Sequence, residues 1–379
     1  MEIKHCEKGE HFMKKVFIYL TCILAVLECG GCRKTDEELA DEVLTTEIPA
    51  TDAKEIDPVV FPAAYTKEMD HVVFNTEIIV NEEVSDHGLY KTTASYQTLN
   101  KEKAYDLLFG EIEIGEHWER DTEMGAEMYY VGNQMHESLY MIKNHLSLTK
   151  GSAFNYARHS FHLEGDNYNA DLYLTGESFE FKRIDEAYRE LSEVLSELDL
   201  DITGKYNCYS LDYKTMEENE YVAAVDEEKA REEYKDNWTK DDNGYFFAVH
   251  QTLQGCTVQY PLAEVFRQVC DANAPVQALY THNGIVYMDI YDLFTFQQSD
   301  EPLALKSFDE VADTIAYKFN MILTEDKYEV KRAELFFRPV EGDQESFEMI
   351  PAWEVTIREV STERTLYMYV NAITAEEML

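Results

Sequence analysis

Paired histidines are the first residues of this chain whose spacing could support chemistry, because imidazole nitrogens bind zinc. His159 and His162 stand three positions apart. The surrounding pattern indicates a strand, on which residues three apart point to opposite faces and cannot share one metal. His136-Glu137 begins a zinc-hydrolase motif, but no second histidine follows at the required spacing. The sequence therefore predicts no zinc site.

Two acidic turns could attract calcium. Asp241-Asp242-Asn243-Gly244 begins like a calcium-binding loop, but His250 stands where the closing carboxylate is needed, so a hairpin turn is favoured. Glu164-Gly165-Asp166 with Asp171 forms a second acidic turn, where weak calcium binding remains open. We predict no resident metal and no cofactor.

Nucleophilic catalysis has no recognisable motif in this sequence. There is no Gly-x-Ser-x-Gly segment and no glycine-rich phosphate loop. The body of the chain contains Cys208, Cys256 and Cys270, an odd number that excludes a fully paired disulfide framework. A bridge between Cys256 and Cys270 and a set of buried free thiols both remain open. We expect a protein that is not an enzyme.

The N-terminal residues have the layout of an export signal. Lys14 and Lys15 form a short basic region, and the apolar run Val16–Leu27 follows it. This run is too short to cross about 30 Å of hydrocarbon at about 1.5 Å per residue. We expect residues 1–31 to be a signal peptide, with Met13 as its start.

The residues that end this signal resemble the lipobox of bacterial lipoproteins. Gly30 and Gly31 supply the small side chains before the modified cysteine, and Cys32 is followed at once by charged residues. Cys29 departs from the aliphatic residue usual at its position. The resemblance implies that Cys32 receives a diacylglycerol and anchors the protein at the extracytoplasmic face of a Gram-positive-type cell membrane. An uncleaved N-terminal anchor is the alternative.

Charge narrows the classes of partner. The formal net charge is −42 at pH 7, from 75 acidic and 33 basic residues. Such an excess argues against nucleic-acid binding, which needs Lys and Arg on phosphates, and favours cations or basic partners. With 45% hydrophobic residues and 26 tyrosines, the chain should nevertheless form a folded core. Its length predicts two or three modules.

Two amphipathic helices organise the predicted fold. Residues Ile184–Leu198 and Phe308–Leu323 place apolar side chains at helical spacing. Ser307 and Glu310 form a capping box at the start of the second helix. Strand-like segments surround both helices, and the order strand, strand, helix, meander recurs at an offset of about 124 residues.

This repeat predicts an α+β fold of antiparallel sheets, each covered by an amphipathic helix, built as a duplicated module. Two unrelated α+β stretches are the alternative. The strands expected before the helices are residues 154–163 and 171–181 in the first copy, and Val276–His282 and Ile285–Phe296 in the second. The expected organisation is a lipidated, acidic tether at 32–62, an N-terminal α+β region at 63–150, a first module at 151–262 and a second module at 274–379.

The last residues contain a specific pattern. Pro351-Ala352-Trp353 leads one strand, and Asn371-Ala372-Ile373-Thr374 closes another. These residues resemble the closing hairpin of PepSY-like and YycH/YycI-like extracytoplasmic domains, in which a Pro-Ala-Trp strand pairs with one ending in Asn-Ala-x-Thr-Gly-Glu. Ala375 replaces the usual glycine, which suggests a changed turn. As a whole, the chain is similar to acidic, tyrosine-rich clostridial lipoproteins.

This resemblance implies an extracytoplasmic module that contacts another protein, and it implies no catalytic residues. We therefore expect a non-enzymatic binding or regulatory protein whose partner is another envelope protein, docked at an exposed sheet edge or beside an amphipathic helix. A solute-binding lipoprotein of a transporter is the first alternative, although such proteins show parallel β–α–β units rather than hairpins. A cell-wall hydrolase with converging carboxylates is the second.

Overall fold

The computed structural model describes residues 60–378 except 124, 166, 201, 203, 223–233, 261–269, 323–325 and 343–345. The strands are β1 (Ala64–Met69), β2 (Val72–Ile79), β3 (Tyr90–Tyr96), β4 (Ile114–Thr122), β5 (Gly125–Gly132), β6 (Ser138–Ile142), β7 (His145–Thr149), β8 (Gly204–Leu211), β9 (Gly244–Leu253), β10 (Cys256–Thr257), β11 (Val276–Thr281), β12 (Gly284–Ile290), β13 (Phe294–Pro302), β14 (Tyr328–Glu341), β15 (Ser346–Glu359), β16 (Thr365–Asn371) and β17 (Glu377–Met378).

The helices are α1 (Glu82–His87), α2 (Lys101–Leu108), α3 (Ala153–Ser160), α4 (Ile184–Glu197), α5 (Tyr213–Asn219) and α6 (Phe308–Asn320). The chain is α+β, as the sequence predicts, and its strands pair mostly in antiparallel fashion. Within the described part of the chain, no helix combines the length and the apolar character needed to cross a membrane.

The first sheet joins the two ends of the described chain. Six of its eight strands run in the order β1-β2-β14-β15-β16-β17, and β3, with β13 beside it, pairs with the start of β15. Neighbours are antiparallel except β2 and β14, which are parallel. A 2.9 Å hydrogen bond from the Thr76 hydroxyl to the Val330 carbonyl joins residues 254 positions apart. This sheet therefore depends on contacts of very long sequence separation.

Helix α6 covers one face of the eight-stranded sheet. The Ser307 backbone N–H donates to the Glu310 carboxylate at 3.0 Å, and the Ser307 hydroxyl accepts from the Glu310 backbone at 3.4 Å. This is the predicted capping box, and it satisfies backbone groups that the first turn leaves unpaired. Val311, Ile315 and Phe319 recur at helical spacing and are buried against the sheet. The predicted helix and its cap are both confirmed.

The second sheet has nine strands. Their order is β10-β9-β11-β12-β7-β6-β5-β4, and β8 also pairs with β9. Helix α4 covers one face through Ala187, Leu191 and Leu195, all fully buried. Helix α3 packs on part of the opposite face. Each sheet therefore carries one of the two amphipathic helices that the sequence predicts.

The two sheets do not follow the predicted module boundaries. Strands β1–β3 come from the expected N-terminal region 63–150, yet they lie in one sheet with the C-terminal strands. The hairpin β11–β12, expected to open the module 274–379, lies between β9 and β7 in the other sheet. Phe61, inside the expected tether 32–62, packs its ring 5.0 Å from that of Trp353. These differences arise because strands that are distant in sequence pair with one another, and local sequence patterns do not encode such pairing.

Two predicted strands are wrong. Residues 154–163 contain α3, and residues 171–181 begin in the short 3₁₀ helix Ala170–Tyr173. Phe154, Ala157 and Phe161 stand at positions i, i+3 and i+7, and they pack together against the nine-stranded sheet. The predicted repeat therefore holds from each helix onward, where α4 leads into β8–β9 and α6 into β14–β16, but not before it.

The C-terminal hairpin has the pairing that the resemblance implies. Strand β15 contains Pro351-Ala352-Trp353, and Ala352 lies opposite Asn371 at the end of β16. The Asn371 side-chain oxygen accepts hydrogen bonds from the backbone N–H groups of Ile373 at 2.8 Å and Thr374 at 3.1 Å. Ala372, beside it, is fully buried. The asparagine thus shapes the turn by occupying its backbone donors.

Ala375 adopts a φ of +59°, in the left-handed region that favours glycine. The turn therefore keeps the conformation suited to the glycine usual at this position, and the changed turn suggested by the sequence is not seen. The Ala375 backbone N–H donates to the Asn371 carbonyl at 2.9 Å, which holds the residue in place.

Ala375→Gly is expected to raise the free energy of unfolding by about 0.5–1 kcal/mol, because a left-handed backbone costs alanine more than glycine. Urea unfolding followed by circular dichroism measures the change. Ala316→Gly, inside α6, serves as the control and is expected to lower the free energy by about 1 kcal/mol or more. Equal losses in the two variants would show that Ala375 is not strained.

Candidate functional site

A cleft of about 480 Å³ lies between the two sheets, and we call it the inter-sheet cleft. The face of β14–β16 turned away from α6 forms one wall, and β8 with its neighbours forms the other. The residues that line it are Arg332, Glu334, Phe336, Glu354, Thr356, Tyr367 and Tyr369 on the first wall, and Lys205, Tyr206, Asn207, His250, Thr257 and Asp271 on the second. Gln259 also lines the cleft, and its backbone N–H donates to the Phe337 carbonyl of β14 on the first wall.

Strand alternation decides which side chains reach the cleft. In β14, residues 333, 335 and 337 belong to the core beneath α6. Arg332, Glu334 and Phe336 therefore point the other way, into the cleft. The same alternation in β15 places Trp353 in the core and its neighbour Glu354 in the cleft.

Glu334 links the two walls. Its carboxylate lies 2.6 Å from the Arg332 guanidinium on the same strand and 3.7 Å from the Lys205 ammonium on β8. The Lys205 side chain is 65% exposed, so solvent screens this pair. We expect it to contribute at most about 1 kcal/mol to stability. Its main consequence is to orient the charged groups at the mouth of the cleft.

Glu354 is held by two neutral donors. The Gln259 side-chain amide donates to one carboxylate oxygen at 2.6 Å, and the Tyr369 hydroxyl donates to the same oxygen at 3.1 Å. The Arg338 guanidinium lies 5.2 Å from the centre of the Tyr369 ring, within range of a cation–π contact. The ring and the carboxylate are therefore fixed relative to each other.

A network of hydrogen bonds forms part of the β8 wall, where Asn207, His250 and Asp271 line the cleft. The Asp271 carboxylate, with a side chain only 3% exposed, lies 2.9 Å from His250 Nε2 and accepts from the Asn207 amide at 2.8 Å. It also accepts a hydrogen bond from the Tyr209 hydroxyl. Burial alone would raise the pKa of Asp271, but the hydrogen bonds from His250 and Tyr209 outweigh it and hold that pKa below its usual range.

This network anchors the short 3₁₀ helix Cys270–Asn273 to β8 and β9. Burial and the neighbouring Asp271 charge raise the pKa of the Tyr209 hydroxyl, so that group stays protonated and keeps donating. Because three donors occupy the carboxylate, Asp271 acts as a structural acceptor in this arrangement rather than as a base toward the cleft.

Strand β8 borders the cleft with an open edge. It pairs with β9 along one side, and no other described strand pairs with it. Residues 205–207 of this strand line the cleft. An extended chain entering the cleft could therefore add to the sheet at β8.

The residues predicted to form the export signal and the lipidation site cannot be placed in the fold. Cys32, Gly30 and Gly31 fall outside the described residues, as does the predicted tether up to residue 59. The C-terminal pattern Pro351–Trp353 and Asn371–Thr374 comes together in one hairpin and packs under α6. The pattern therefore supports the cleft from behind without lining it.

The structure places the candidate metal-binding histidines in or next to a helix, and it gives the candidate calcium-binding aspartates other partners. His159 lies in α3 and His162 follows it, so the strand geometry used to exclude a shared metal does not apply. Asp242 accepts from the Thr239 backbone at 2.8 Å, and Asp171 accepts from the Tyr168 hydroxyl at 2.7 Å. Within the residues that the structure describes, no three His, Cys, Asp or Glu side chains converge as metal ligands.

The cysteines of the described chain include two free thiols. Cys208 is half-buried and Cys256 is buried, and neither is in a disulfide. The bridge between Cys256 and Cys270 that the sequence left open is therefore not formed. Burial raises the pKa of both free thiols to about 12, which keeps them protonated and unreactive at neutral pH.

The sequence did not reveal the Asp271 network. In the sequence, His250 stands out only because it replaces the closing carboxylate of a calcium loop, and nothing near Asp271 indicates a role for it. The one local signal is the alternation of Lys205, Asn207 and Tyr209 along β8, which places polar side chains on one face. Its partners lie tens of residues away, so only strand pairing brings them together.

Comparisons with known proteins give a fold and no family. No family model matches the sequence, and no curated protein matches it. The crystal structure of an uncharacterized protein from Eubacterium rectale is similar, with 15% identity and a TM-score of 0.59 over 82% of this chain and 91% of that one. The Bacillus megaterium YpeB C-terminal domain is 11% identical, with a TM-score of 0.30 over 73% of this chain and 92% of that one. The first likeness shows a shared fold alone, and the second is too weak to support an argument.

Proposed function

We propose that this chain is a lipid-anchored, non-enzymatic binding module that receives an extended segment of another envelope protein in the inter-sheet cleft. The main observation is the open edge of β8 beside a wall of aromatic and polar side chains. A peptide strand added to such an edge gains backbone hydrogen bonds, and the facing wall selects its alternate side chains.

The composition of the cleft suits a peptide. Tyr367, 37% exposed, offers a ring surface on one wall, and Lys205 with Glu334 offers both signs of charge at the mouth. The net charge of −42 raises the local concentration of basic groups near the protein. We therefore expect a segment that contains lysine or arginine.

A binding role is also supported by the contacts that hold the two carboxylates of the cleft in place. Glu334 is held by Arg332 and Lys205, and Glu354 by Gln259 and Tyr369. Side chains held in this way form a surface organised before the partner arrives, which lowers the entropic cost of binding. Anchoring through Cys32 and exposure outside the cell remain part of the proposal, and they rest on the signal residues alone.

Site-specific photo-cross-linking in the producing bacterium tests this proposal. A benzophenone amino acid at position 367 is expected to give a discrete adduct with one envelope protein. The same group at position 317, where Tyr317 is 70% exposed on α6, should give none. Thr356→Trp, which fills the cleft from its wall, should abolish the adduct, whereas Thr362→Trp, exposed in the turn between β15 and β16, should not.

Equal adducts at positions 367 and 317, or an adduct that survives Thr356→Trp, would contradict peptide binding in the cleft. Solute binding is the second candidate, because about 480 Å³ of mixed polar and aromatic lining lies within the range of small-molecule sites. It would be indicated by no adduct at 367 and a solute-dependent rise in Tm that Thr356→Trp removes.

A further inference from the structure

Strand β4 ends the nine-stranded sheet and is strongly exposed. It pairs with β5, and no other described strand pairs with its second edge. Its residues from Gly115 to Asp121 are all exposed. Trp118 is among them, with 37% of its surface open to solvent. A tryptophan on an open edge strand marks a contact surface, because such edges readily pair with another strand.

The Trp118 ring ends a row of aromatic side chains that crosses the sheet. Its centre lies 5.5 Å from that of Tyr129 on β5, which lies 6.3 Å from that of Tyr140 on β6. Tyr140 lies 5.7 Å from the His145 ring on β7. The Arg120 guanidinium sits 5.3 Å from the centre of the Trp118 ring. The row has ring contacts on one side of Trp118 and reaches the sheet edge on the other.

The charge pattern of β4 is complementary to itself. The residues around Trp118 read Glu116-His117-Trp118-Glu119-Arg120. If a second copy of the strand lies antiparallel with Trp118 opposite Trp118, then Glu116 lies opposite Arg120 and His117 lies opposite Glu119. Twofold symmetry repeats the Glu116–Arg120 pair, and opposite charges directly across two strands stabilise the pairing. The Arg120 guanidinium also pairs with Glu127 on β5 of its own copy.

The registers centred on Glu119 and on Arg120 are less favourable. Centring the pair on Glu119 places that carboxylate opposite its own copy, and centring it on Arg120 does the same for the guanidinium while Glu119 meets Asp121. Like charges directly opposite one another destabilise paired strands. Charges on an edge strand usually prevent pairing, but here Glu116 and Arg120, two positions on either side of Trp118, favour a second copy centred on Trp118.

We propose that two copies of this chain associate through β4, antiparallel and centred on Trp118, so that their nine-stranded sheets become one. The aromatic rows of the two copies then meet at the twofold axis. This inference is independent of the inter-sheet cleft, because β4 and the cleft share no residue.

Register-specific disulfide trapping tests the proposal. Residues directly opposite in antiparallel strands have Cα atoms about 4.5–5.5 Å apart, within the range of about 4.4–6.8 Å for a disulfide. We expect a mixture of the full chains Glu116→Cys and Arg120→Cys to form a covalent heterodimer under mild oxidation. That heterodimer keeps Trp118 and one of the two Glu116–Arg120 pairs.

Each variant oxidised alone is the matched control. In the proposed register position 116 of one copy lies about 13 Å from position 116 of the other along the strands, at about 3.3 Å per residue, beyond disulfide reach. Wild-type chain gives the background from its own cysteines. A mixture that cross-links no better than either variant alone would overturn the proposed register. If no sample, including Trp118→Cys, forms a covalent dimer at concentrations up to about 1 mM, the association is overturned. The dissociation constant would then exceed about 1 mM, which corresponds to a negligible affinity.

Discussion

Replacing Trp353 with alanine is expected to lower the free energy of unfolding by about 3–5 kcal/mol, in the range of large-to-small changes at buried aromatic residues. Trp353 is completely buried. The centre of its ring lies 5.0 Å from that of Phe61 and 5.3 Å from that of Phe308, and both pairs have an edge-to-face arrangement. Alanine would leave a cavity between α6 and the eight-stranded sheet. Urea unfolding monitored by circular dichroism measures the loss.

Trp353→Phe separates packing from hydrogen bonding at this position. The indole nitrogen has no hydrogen-bond partner among the described residues, so phenylalanine removes volume without orphaning an acceptor. We expect it to cost less than about 1.5 kcal/mol. Tyr317→Ala, exposed on α6, should change stability by less than about 0.5 kcal/mol. If Trp353→Ala were as mild as Tyr317→Ala, the proposed role of this ring in joining α6 to the sheet would be wrong.

Replacing Asp271 with alanine is expected to lower the free energy of unfolding by about 3–5 kcal/mol at neutral pH, as when one partner of a buried charged network is removed. The change leaves the buried donors of His250 and Tyr209, and the exposed amide of Asn207, without this acceptor. It should also release the 3₁₀ helix Cys270–Asn273 from β8 and β9. Urea unfolding at pH 7 measures the effect.

The cost of this substitution should depend on pH. The folded-state pKa of Asp271 lies below its ordinary value of 3.8. The stability that the carboxylate contributes is therefore fully present above that value and is lost as the pH falls through the folded-state pKa. We expect the difference between wild type and Asp271→Ala to be largest at neutral pH and to shrink below about pH 4.

Asp236→Ala is the matched control, because Asp236 is exposed. It should change stability by less than about 0.5 kcal/mol, with no comparable dependence on acid. A deficit for Asp271→Ala that stayed constant from pH 7 to about pH 3 would show that the ionised carboxylate is not the stabilising species.

Local features of the fold were predictable because local physics produces them. The capping box at Ser307 and the apolar spacing of α6 depend on residues within a few turns of one another. The turn between β11 and β12 depends on Gly284, which follows the two turn residues and has a φ of +82°, in the left-handed region that favours glycine. The strand predicted at residues 154–163 is wrong, because three apolar residues at helical spacing there form the buried face of α3.

The candidate site was not predictable, because its parts are distant in sequence. Lys205 and Glu334 meet across the inter-sheet cleft, and Gln259 donates to Glu354, 95 positions further along the chain. Nothing near any of these residues distinguishes it from the many other polar residues of an acidic chain. Alternation along a strand indicates that a side chain leaves the core, but not what it meets outside.

The sequence by itself determined the α+β class, the two amphipathic helices, the closing hairpin and the strongly acidic character of the chain. Only the tertiary structure decided which strands share a sheet, that a cleft separates the two sheets, and that Asp271 lies beneath β8. The reason is the separation in sequence between the residues that interact. Caps, turns and periodicity are set within about ten residues, whereas a pairing such as Thr76 with Val330, 254 positions apart, depends on which of many compatible strand edges gives the best-packed core.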